Sequence, residues 1–186
     1  MTLRRLFITL LMPLFLAMAA NGAVDEQPVA KEKAPADFTD AADWFRQGLE
    51  HNRAGRYGQA ADAFRKVVAI TPADAAAWFN LGTATAFLGN HEEAAGFLRQ
   101  AVRLNPDLLP AYSNLAAICS KLGRFREALD AYDQVLRLKP DDANAHFNRG
   151  IIFNTLGDKE AALKEYELLK PLDGELAAKL LEAITR

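Results

Sequence analysis

The sequence predicts an all-α solenoid of about four helix–turn–helix repeats followed by a C-terminal capping helix. The first observation is that small residues recur along the chain with a period of 34 residues. Their three ladders are Gly48, Gly82, Ala116 and Gly150; Gly55, Gly89, Gly123 and Gly157; and Ala60, Ala94, Ala128 and Ala162. The second observation is a proline ladder with the same period, formed by Pro72, Pro106 and Pro140. A fixed period of this length is typical of stacked supersecondary units, each of which contacts only its neighbours.

The third observation is that each period contains two stretches in which apolar residues have helical spacing. In the second period, Leu81 and Thr85 share one face of a first helix. Gly89 then ends this helix, because glycine readily adopts the left-handed conformation of a C-terminal cap. A second helix follows and ends at Pro106, since proline cannot continue the backbone hydrogen bonding. Each period is therefore predicted to be helix, tight turn, helix and turn.

Two further sets of residues have a structural reason in this scheme. Gly82 in the first helix and Ala94 in the second are expected where the two helices approach most closely. A bulky side chain at either position would force the helices apart. Aspartates that precede first helices are expected to accept hydrogen bonds from the free amides there, and these are Asp40, Asp74 and Asp142.

These residues resemble the tetratricopeptide repeat, whose pattern is W-x2-L-G-x2-Y, then A-x3-F, then P, over roughly 34 residues. The four units supply Trp44, Gly48, Ala60, Phe64 and Pro72; Trp78, Leu81, Gly82, Ala94, Leu98 and Pro106; Tyr112, Leu115, Ala116, Ala128, Tyr132 and Pro140; and Gly150, Phe153, Ala162 and Tyr166. The resemblance covers the chain from about Ala41 to the C-terminus. It implies a right-handed α-solenoid whose first helices line a concave, peptide-binding face.

The predicted organisation has three parts: a signal peptide at 1–23, a flexible linker at 24–39 and the repeat domain at 40–186. The repeats are predicted at about 41–74, 75–108, 109–142 and 143–174, with the capping helix at 175–186. Four apolar residues of this last helix are expected to cover the end of the fourth repeat: Leu176, Leu180, Leu181 and Ile184. The fourth unit departs from the pattern at His146 and Arg149, where Trp and Leu would be expected, and Gly174 is interpreted as replacing its proline.

The N-terminal residues are typical of a secretory signal. Arg4 and Arg5 precede an apolar run at 6–20, and Ala17-Met18-Ala19 fits the pattern of a cleavage site, with cleavage after residue 23 as a second possibility. We expect export to the periplasm by the general secretory route. The arginine pair partly matches a twin-arginine signal, which is the alternative route. An uncleaved inner-membrane anchor is the other alternative, although the run is shorter than the roughly 20 apolar residues that span a bilayer.

Composition argues against several classes of function. The net charge is −2, and phosphate binding needs a strongly basic face, so nucleic acid is not an expected partner. The three histidines are far apart in sequence, and the single cysteine cannot form an intramolecular disulfide, so neither a metal site nor a disulfide is expected. No nucleophile–base pair or phosphate loop is visible, and we expect no catalysis, cofactor or small-molecule substrate. Cys119 is interpreted as a small buried hydrophobic residue, with a reactive thiol as the alternative.

The candidate binding residues lie on the predicted first helices. One row of amides shares a single phase of the repeat and can hold a peptide backbone through donors and acceptors: Asn80, Asn114 and Asn148. Aromatic residues stand one position earlier, at Phe45, Phe79 and Phe147, and Phe87 is a further candidate. Cations near the groove are Arg46, Arg53, Lys121 and Arg149. The alternatives are structural: the amides bond to a neighbouring repeat, the aromatic residues pack in the core, and the cations form a solvated face.

The predicted function is that of an exported adaptor without enzymatic activity. Its partner would be another protein, held as a peptide segment or helix in the concave groove while a complex assembles in the cell envelope. Many weak contacts along a preformed groove would provide the affinity. The alternative is a self-associating scaffold in which groove or end surfaces meet a second copy.

Overall fold

The computed structural model describes residues 40–186, and the predicted signal peptide and linker lie outside that range. Within it the chain forms nine α-helices and no strand, which confirms the predicted all-α solenoid. The helices are α1 Ala41–Arg53, α2 Tyr57–Ile70, α3 Ala75–Phe87, α4 His91–Leu104, α5 Leu109–Lys121, α6 Phe125–Leu138, α7 Ala143–Thr155, α8 Lys159–Leu169 and α9 Gly174–Thr185. Odd-numbered helices α1 to α7 are the first helices of four repeats, and even-numbered helices α2 to α8 are the second.

The turn inside each repeat depends on a glycine, as the sequence predicted. The φ angles are 70° at Gly55, 86° at Gly89, 71° at Gly123 and 82° at Gly157, which all lie in the left-handed region. In the first repeat, the amide of Arg56 donates to the carbonyl of His51 at 2.9 Å, and the amide of Gly55 donates to that of Asn52 at 3.0 Å. This pair of bonds satisfies two carbonyls at the end of α1 and reverses the chain direction.

Aspartates cap three of the first helices, as predicted. The carboxylate of Asp40 accepts from the amide of Asp43 at 2.8 Å, and that of Asp142 accepts from the amide of Ala145 at 3.0 Å. Asp74 accepts from two amides of α3, at 2.8 and 3.1 Å. These bonds satisfy amides that have no partner inside the helix, and they place negative charge at the positive helix end.

Small residues allow the two helices of a repeat to approach closely. A β-carbon added at Gly82 would lie 2.8 Å from Cγ of Leu98 and 3.2 Å from the carbonyl oxygen of Ala94. At Gly48, the same atom would lie 2.7 Å from the ring of Phe64. The predicted contact between the Gly82 and Ala94 positions is therefore confirmed.

The end of the array differs from the prediction in one detail. α8 has 11 residues, whereas α2, α4 and α6 have 14 each, so the fourth repeat reaches its closing turn early. Pro171 lies two residues after α8, as Pro72 does after α2, and Gly174 belongs to the first turn of α9. The interpretation of Gly174 as the replacement for the proline was wrong, because the shortened helix moves Pro171 into that role.

Helix α9 packs against both α7 and α8. Leu180 and Ile184 are buried and Leu176 packs against the same cluster. A β-carbon at Gly150 would lie 2.5 Å from a methyl group of Leu180, so the small residue of the fourth repeat makes room for α9. The amide side chain of Asn154 also donates to the carbonyl of Ala183 at 2.9 Å. The helix thus covers apolar surface that a further repeat would otherwise bury.

A buried polar network replaces an aromatic residue in the fourth repeat. In the second repeat, the indole of Trp78 donates to the carbonyl of Pro72 at 2.8 Å. His146 occupies the same phase, and its Nε2 lies 3.0 Å from the carbonyl of Pro140, which can only accept. Its Nδ1 lies 2.7 Å from a carboxylate oxygen of the buried Glu165. The histidine therefore retains the hydrogen bond of the tryptophan and adds a link from α7 to α8.

Candidate functional site

Two equivalent clefts open between successive first helices. The α3–α5 cleft has a volume of about 280 Å³. It is lined by Thr83, Ala86, Phe87, His91, Asn114, Ala117, Ile118 and Lys121. The α5–α7 cleft has a volume of about 400 Å³. It is lined by Ala117, Ser120, Lys121, Phe125, Tyr132, Asn148, Ile151, Ile152 and Thr155.

The two clefts are the same site one repeat apart. Every residue that lines the α3–α5 cleft has its counterpart, 34 positions later, in the lining of the α5–α7 cleft. Asn114 corresponds to Asn148, and Phe87 corresponds to Lys121. Ala117 and Lys121 line both clefts, so they stand on the ridge that separates them. Ala117 is exposed, and its small side chain adds little height to this ridge.

A third cavity, the α1 cleft, lies beside the first helix and has a volume of about 650 Å³. It contains three of the predicted binding residues, Phe45, Arg46 and Arg53. Residues of the turn between α2 and α3 complete its wall, and the carboxylates of Glu50 and Asp74 also line it. Arg46 and Arg53 have the same phases as Asn114 and Lys121, but the opposite wall is formed by α2 and the turn after it instead of by a preceding first helix.

The three asparagines of the predicted row have different surroundings. Asn80 is half-buried and donates to the carbonyl of Ala76 in its own helix at 2.8 Å. Asn114 lines the α3–α5 cleft, and its amide donates to the hydroxyl of Thr83 on the preceding first helix at 3.1 Å. Asn148 lines the α5–α7 cleft, and its side chain makes no hydrogen bond within residues 40–186. Two of the three amides are thus brought to the clefts, and the role of the row in binding stays a prediction.

The predicted aromatic residues are divided between core and cleft. Phe79 and Phe147 are half-buried and pack against core clusters, and neither lines a cleft. Phe45 lines the α1 cleft while its ring meets Phe64 edge to face at 5.5 Å. Phe87 lies in the α3–α5 cleft and is 64% exposed. Its ring stacks on Tyr57 with a centroid separation of 4.4 Å, which fixes an exposed aromatic surface at the cleft.

The predicted cations are likewise separated by the structure. Arg46 pairs with Asp43 at the α1 cleft, and Arg53 lines the same cleft. Lys121 lines both of the equivalent clefts. Arg149 belongs to the buried network, where it lies 3.1 Å from Asp133 and 3.5 Å from Glu165. Placing Arg149 at the groove was therefore wrong, because these carboxylates hold it between α6 and α8.

Several lining residues were missed in the sequence, among them His91, Ser120, Phe125, Tyr132, Ile118, Ile151 and Ile152. The predicted residues came from the asparagine phase and the position before it, with Phe87 and Lys121 named individually. The available signal was the column that contains Phe87, Lys121 and Thr155, which are spaced by one repeat. Following that column would have shown that Phe87 and Lys121 are equivalent positions and would have added Thr155.

Two titratable groups near the clefts are neutral at pH 7. Burial raises the pKa of Tyr132 to about 12, and the hydroxyl of Ser120 opposes this shift only in part. Cys119 is fully buried, and its burial together with the nearby Glu127 carboxylate raises the pKa of the thiol to about 11. A thiol in this state is a poor nucleophile, which favours the interpretation of Cys119 as a core residue.

The clefts have the chemistry of a recognition surface. They combine apolar and aromatic side chains with amides, hydroxyls, one histidine and one lysine. Among residues 40–186 no group of three or more histidine, cysteine, aspartate or glutamate side chains is arranged to hold a metal ion. No helix within this range has the length and hydropathy needed to cross a membrane. The polar groups can accept and donate hydrogen bonds along an extended chain.

A family model described as "Tetratricopeptide repeat" matches residues 45–108 and 120–184. The first segment covers the first two repeats from residue 45, and the second runs from the end of α5 through α9; residues 109–119, most of α5, lie between them. No curated protein matches the chain at a significant level.

Solved structures with the same architecture include MamA, YrrB and a tetratricopeptide repeat protein from Parabacteroides merdae. MamA superposes with a TM-score of 0.72 at 22% identity, covering 76% of this chain and 83% of MamA. YrrB, described as having an unusual peptide-binding site, gives 0.72 at 24% identity over 78% of this chain and 76% of YrrB. The Parabacteroides protein gives 0.72 at 19% identity, covering 77% of this chain and 58% of that protein. At these identities the likeness shows the fold alone.

Proposed function

Because this chain belongs to the tetratricopeptide repeat family, we propose that it is an adaptor without enzymatic activity, which holds a segment of another protein on its first-helix face. The fold is typical of proteins that mediate protein–protein interactions. The segment is an extended peptide or a helix, and the protein holds it while a complex assembles in the cell envelope. The peptide-binding site described for YrrB supports this class of partner.

The observation that carries the proposal is the repetition of the cleft. The α3–α5 and α5–α7 clefts present equivalent residues one repeat apart, and they share Ala117 and Lys121. A partner that lies across both would meet an apolar wall and an asparagine in each. Such repeated contacts suit a chain that runs along the face better than a small molecule that must be enclosed.

Binding of this kind needs little rearrangement of the protein. Asn114 is held by Thr83 and the ring of Phe87 is held by Tyr57, so the groups that meet the partner are already positioned. A preformed surface reduces the entropy lost when the complex forms. The affinity would then be set mainly by apolar contacts in the two clefts and by hydrogen bonds at their rims.

The proposal places the protein in the periplasm, exported by the general secretory route. Support comes from the sequence of the first 23 residues, with two arginines, an apolar run and small residues at its end. Fusion of alkaline phosphatase after residue 39 tests this placement, because the enzyme folds only where disulfides form. Activity in the fusion supports export, and an inactive fusion contradicts it.

Site-specific photo-crosslinking in intact cells tests the binding function. A benzophenone amino acid that replaces Ala117 would lie on the ridge between the two clefts and report contacts there. The matched position is Gly96, which is exposed on α4, lines neither cleft and has open space around its α-carbon. We expect the Ala117 probe to capture a discrete partner on irradiation and the Gly96 probe to capture none. Equal capture at both positions, or none at Ala117, would contradict the proposal.

A further inference from the structure

Lys121 is an unpaired cation in the middle of the first-helix face. It is the last residue of α5, is exposed, and lines both the α3–α5 and the α5–α7 cleft. It forms no ion pair with any residue in the described range 40–186. No aspartate or glutamate lines either cleft. The positive charge is therefore not neutralised by the protein's own groups at the place where a partner would lie.

Several other cations of the repeat domain pair with carboxylates. Arg99 pairs with Glu127, and Arg124 pairs with Glu92 at 2.8 Å, both between second helices or their turns. In the α1 cleft, Arg53 shares its wall with Glu50 and Asp74. Lys121 differs from these residues because no carboxylate lines either of the clefts that it borders. An unpaired charge beside apolar walls attracts an opposite charge more strongly than one among carboxylates does.

The apolar part of the α3–α5 cleft lies directly beside this lysine. Phe87 is 64% exposed on the α3 side of the cleft, and Ile118 lies on the α5 side, one turn before Lys121. Because Phe87 is stacked on Tyr57, an incoming apolar side chain need not order it. The volume of about 280 Å³ is sufficient for one large side chain together with part of its backbone.

We infer that the segment held on this face is acidic and carries a large apolar residue next to a carboxylate. The carboxylate pairs with Lys121, and the apolar side chain enters the α3–α5 cleft against Phe87 and Ile118. This inference rests on the proposed function and adds the chemistry of the partner. Its basis is charge complementarity at Lys121 together with the preformed aromatic wall.

Fluorescence anisotropy with three labelled peptides tests the inference. The probe is Gly-Ser-Glu-Asp-Leu-Phe-Asp-Glu-Gly-Ser; the second peptide has lysine at each acidic position, and the third has serine in place of Leu and Phe. We expect the full chain to bind the probe about tenfold more tightly than either comparison peptide. The preference for the acidic probe should weaken as salt is raised, because the lysine is exposed.

Two variants and a control assign the effect to the cleft. Lys121→Glu should lower the affinity for the probe about tenfold and remove the preference for acidic over basic peptide. Phe87→Ala should lower the affinity for the probe without changing the affinity for the serine-containing peptide. Arg103→Glu makes the same charge change at an exposed residue of α4 that lines neither cleft, and it should leave binding unchanged.

Three results would overturn the inference. They are equal binding of the acidic and basic peptides, unchanged binding of the probe by Lys121→Glu, and no binding of the probe at about 1 mM. Failure here is distinguishable from failure of the proposed function. If the Ala117 crosslinker captures a partner while the acidic probe does not bind, the face holds a segment of different chemistry. If neither occurs, both the inference and the proposed function fail.

Discussion

Gly82 is the residue at which the packing of the repeat is most restrictive. A side chain there would meet Leu98 and the backbone oxygen of Ala94, and the backbone atom cannot move aside without shifting α4. We therefore expect Gly82→Leu to lower the free energy of unfolding by about 1–3 kcal/mol or more through overpacking. Urea denaturation followed by circular dichroism measures this change.

The control for this prediction is Gly96→Leu. Gly96 is exposed inside α4, and a β-carbon there would meet nothing within 4 Å. Replacing a helix glycine by leucine at such a position should leave stability unchanged or raise it by up to about 1 kcal/mol. Equal stabilities of the two variants would show that Gly82 is not a contact between helices.

The stability that Asp142 contributes by capping α7 should depend on pH. Burial opposes the charged form, but the Ala145 amide and the Lys139 ammonium outweigh it and lower the pKa of the carboxyl. A lowered pKa gives stability that is present above the unfolded value of about 3.9 and is lost as the pH falls through the folded value. Asp142→Ala should cost about 1 kcal/mol at pH 7, and that cost should shrink below about pH 4.

Thermal melts of Asp142→Ala at several pH values check this prediction. The adjacent Asp141 is exposed and makes no hydrogen bond or ion pair with described residues, so Asp141→Ala is the matched control. A cost for Asp142→Ala that is independent of pH would contradict the capping role. A comparable loss of stability in Asp141→Ala would show that removing any negative charge at this end of α7, and not removing the cap, causes the effect.

At the scale of elements, α9 is the helix that closes the array. Leu180 is fully buried against Gly150, whereas Leu168 on α8 is 53% exposed. Leu180→Ala should lower the free energy of unfolding by about 2–5 kcal/mol because it removes buried methyl groups and leaves a cavity. Leu168→Ala should change it by less than about 0.5 kcal/mol. Similar losses in the two variants, measured by urea denaturation, would mean that α9 does not close the core.

The helices and turns also show which features of the fold can be predicted from the sequence. The turn glycines and the capping aspartates act within a few residues of their own position, so the chain predicts them directly. Gly174 was misinterpreted because α8 is shorter than the other second helices, and helix length depends on what packs against it. His146 was recognised as a departure from the pattern, but its bonds to Pro140 and Glu165 join separate elements.

At the scale of the whole molecule, the sequence predicted the solenoid more fully than it predicted the clefts. The period establishes which residues are equivalent, but each cleft combines residues of two first helices that are far apart along the chain. The bond between Asn114 and Thr83 is an example, since it joins positions 31 residues apart. The separation of Phe87 from Phe79 and Phe147 likewise depends on packing between repeats, which a phase within one repeat does not specify.

The two clefts share a ridge on which one of the two residues is small. Ala117 is exposed on the ridge that they share, so a large side chain there would obstruct both without entering the core. The same large side chain at Gly96 would add equal volume to α4, away from the clefts. These two positions therefore separate occupation of the first-helix face from any general effect of an added aromatic group.

The most direct test of the proposed function is calorimetric titration of the segment captured by crosslinking into three proteins: the unaltered chain, Ala117→Trp and Gly96→Trp. If the first-helix face holds the segment, Ala117→Trp should weaken binding at least about tenfold, while Gly96→Trp binds like the unaltered chain. Melting temperatures of the two variants should remain equal to each other. Full affinity in Ala117→Trp would contradict the proposal that the clefts hold the partner.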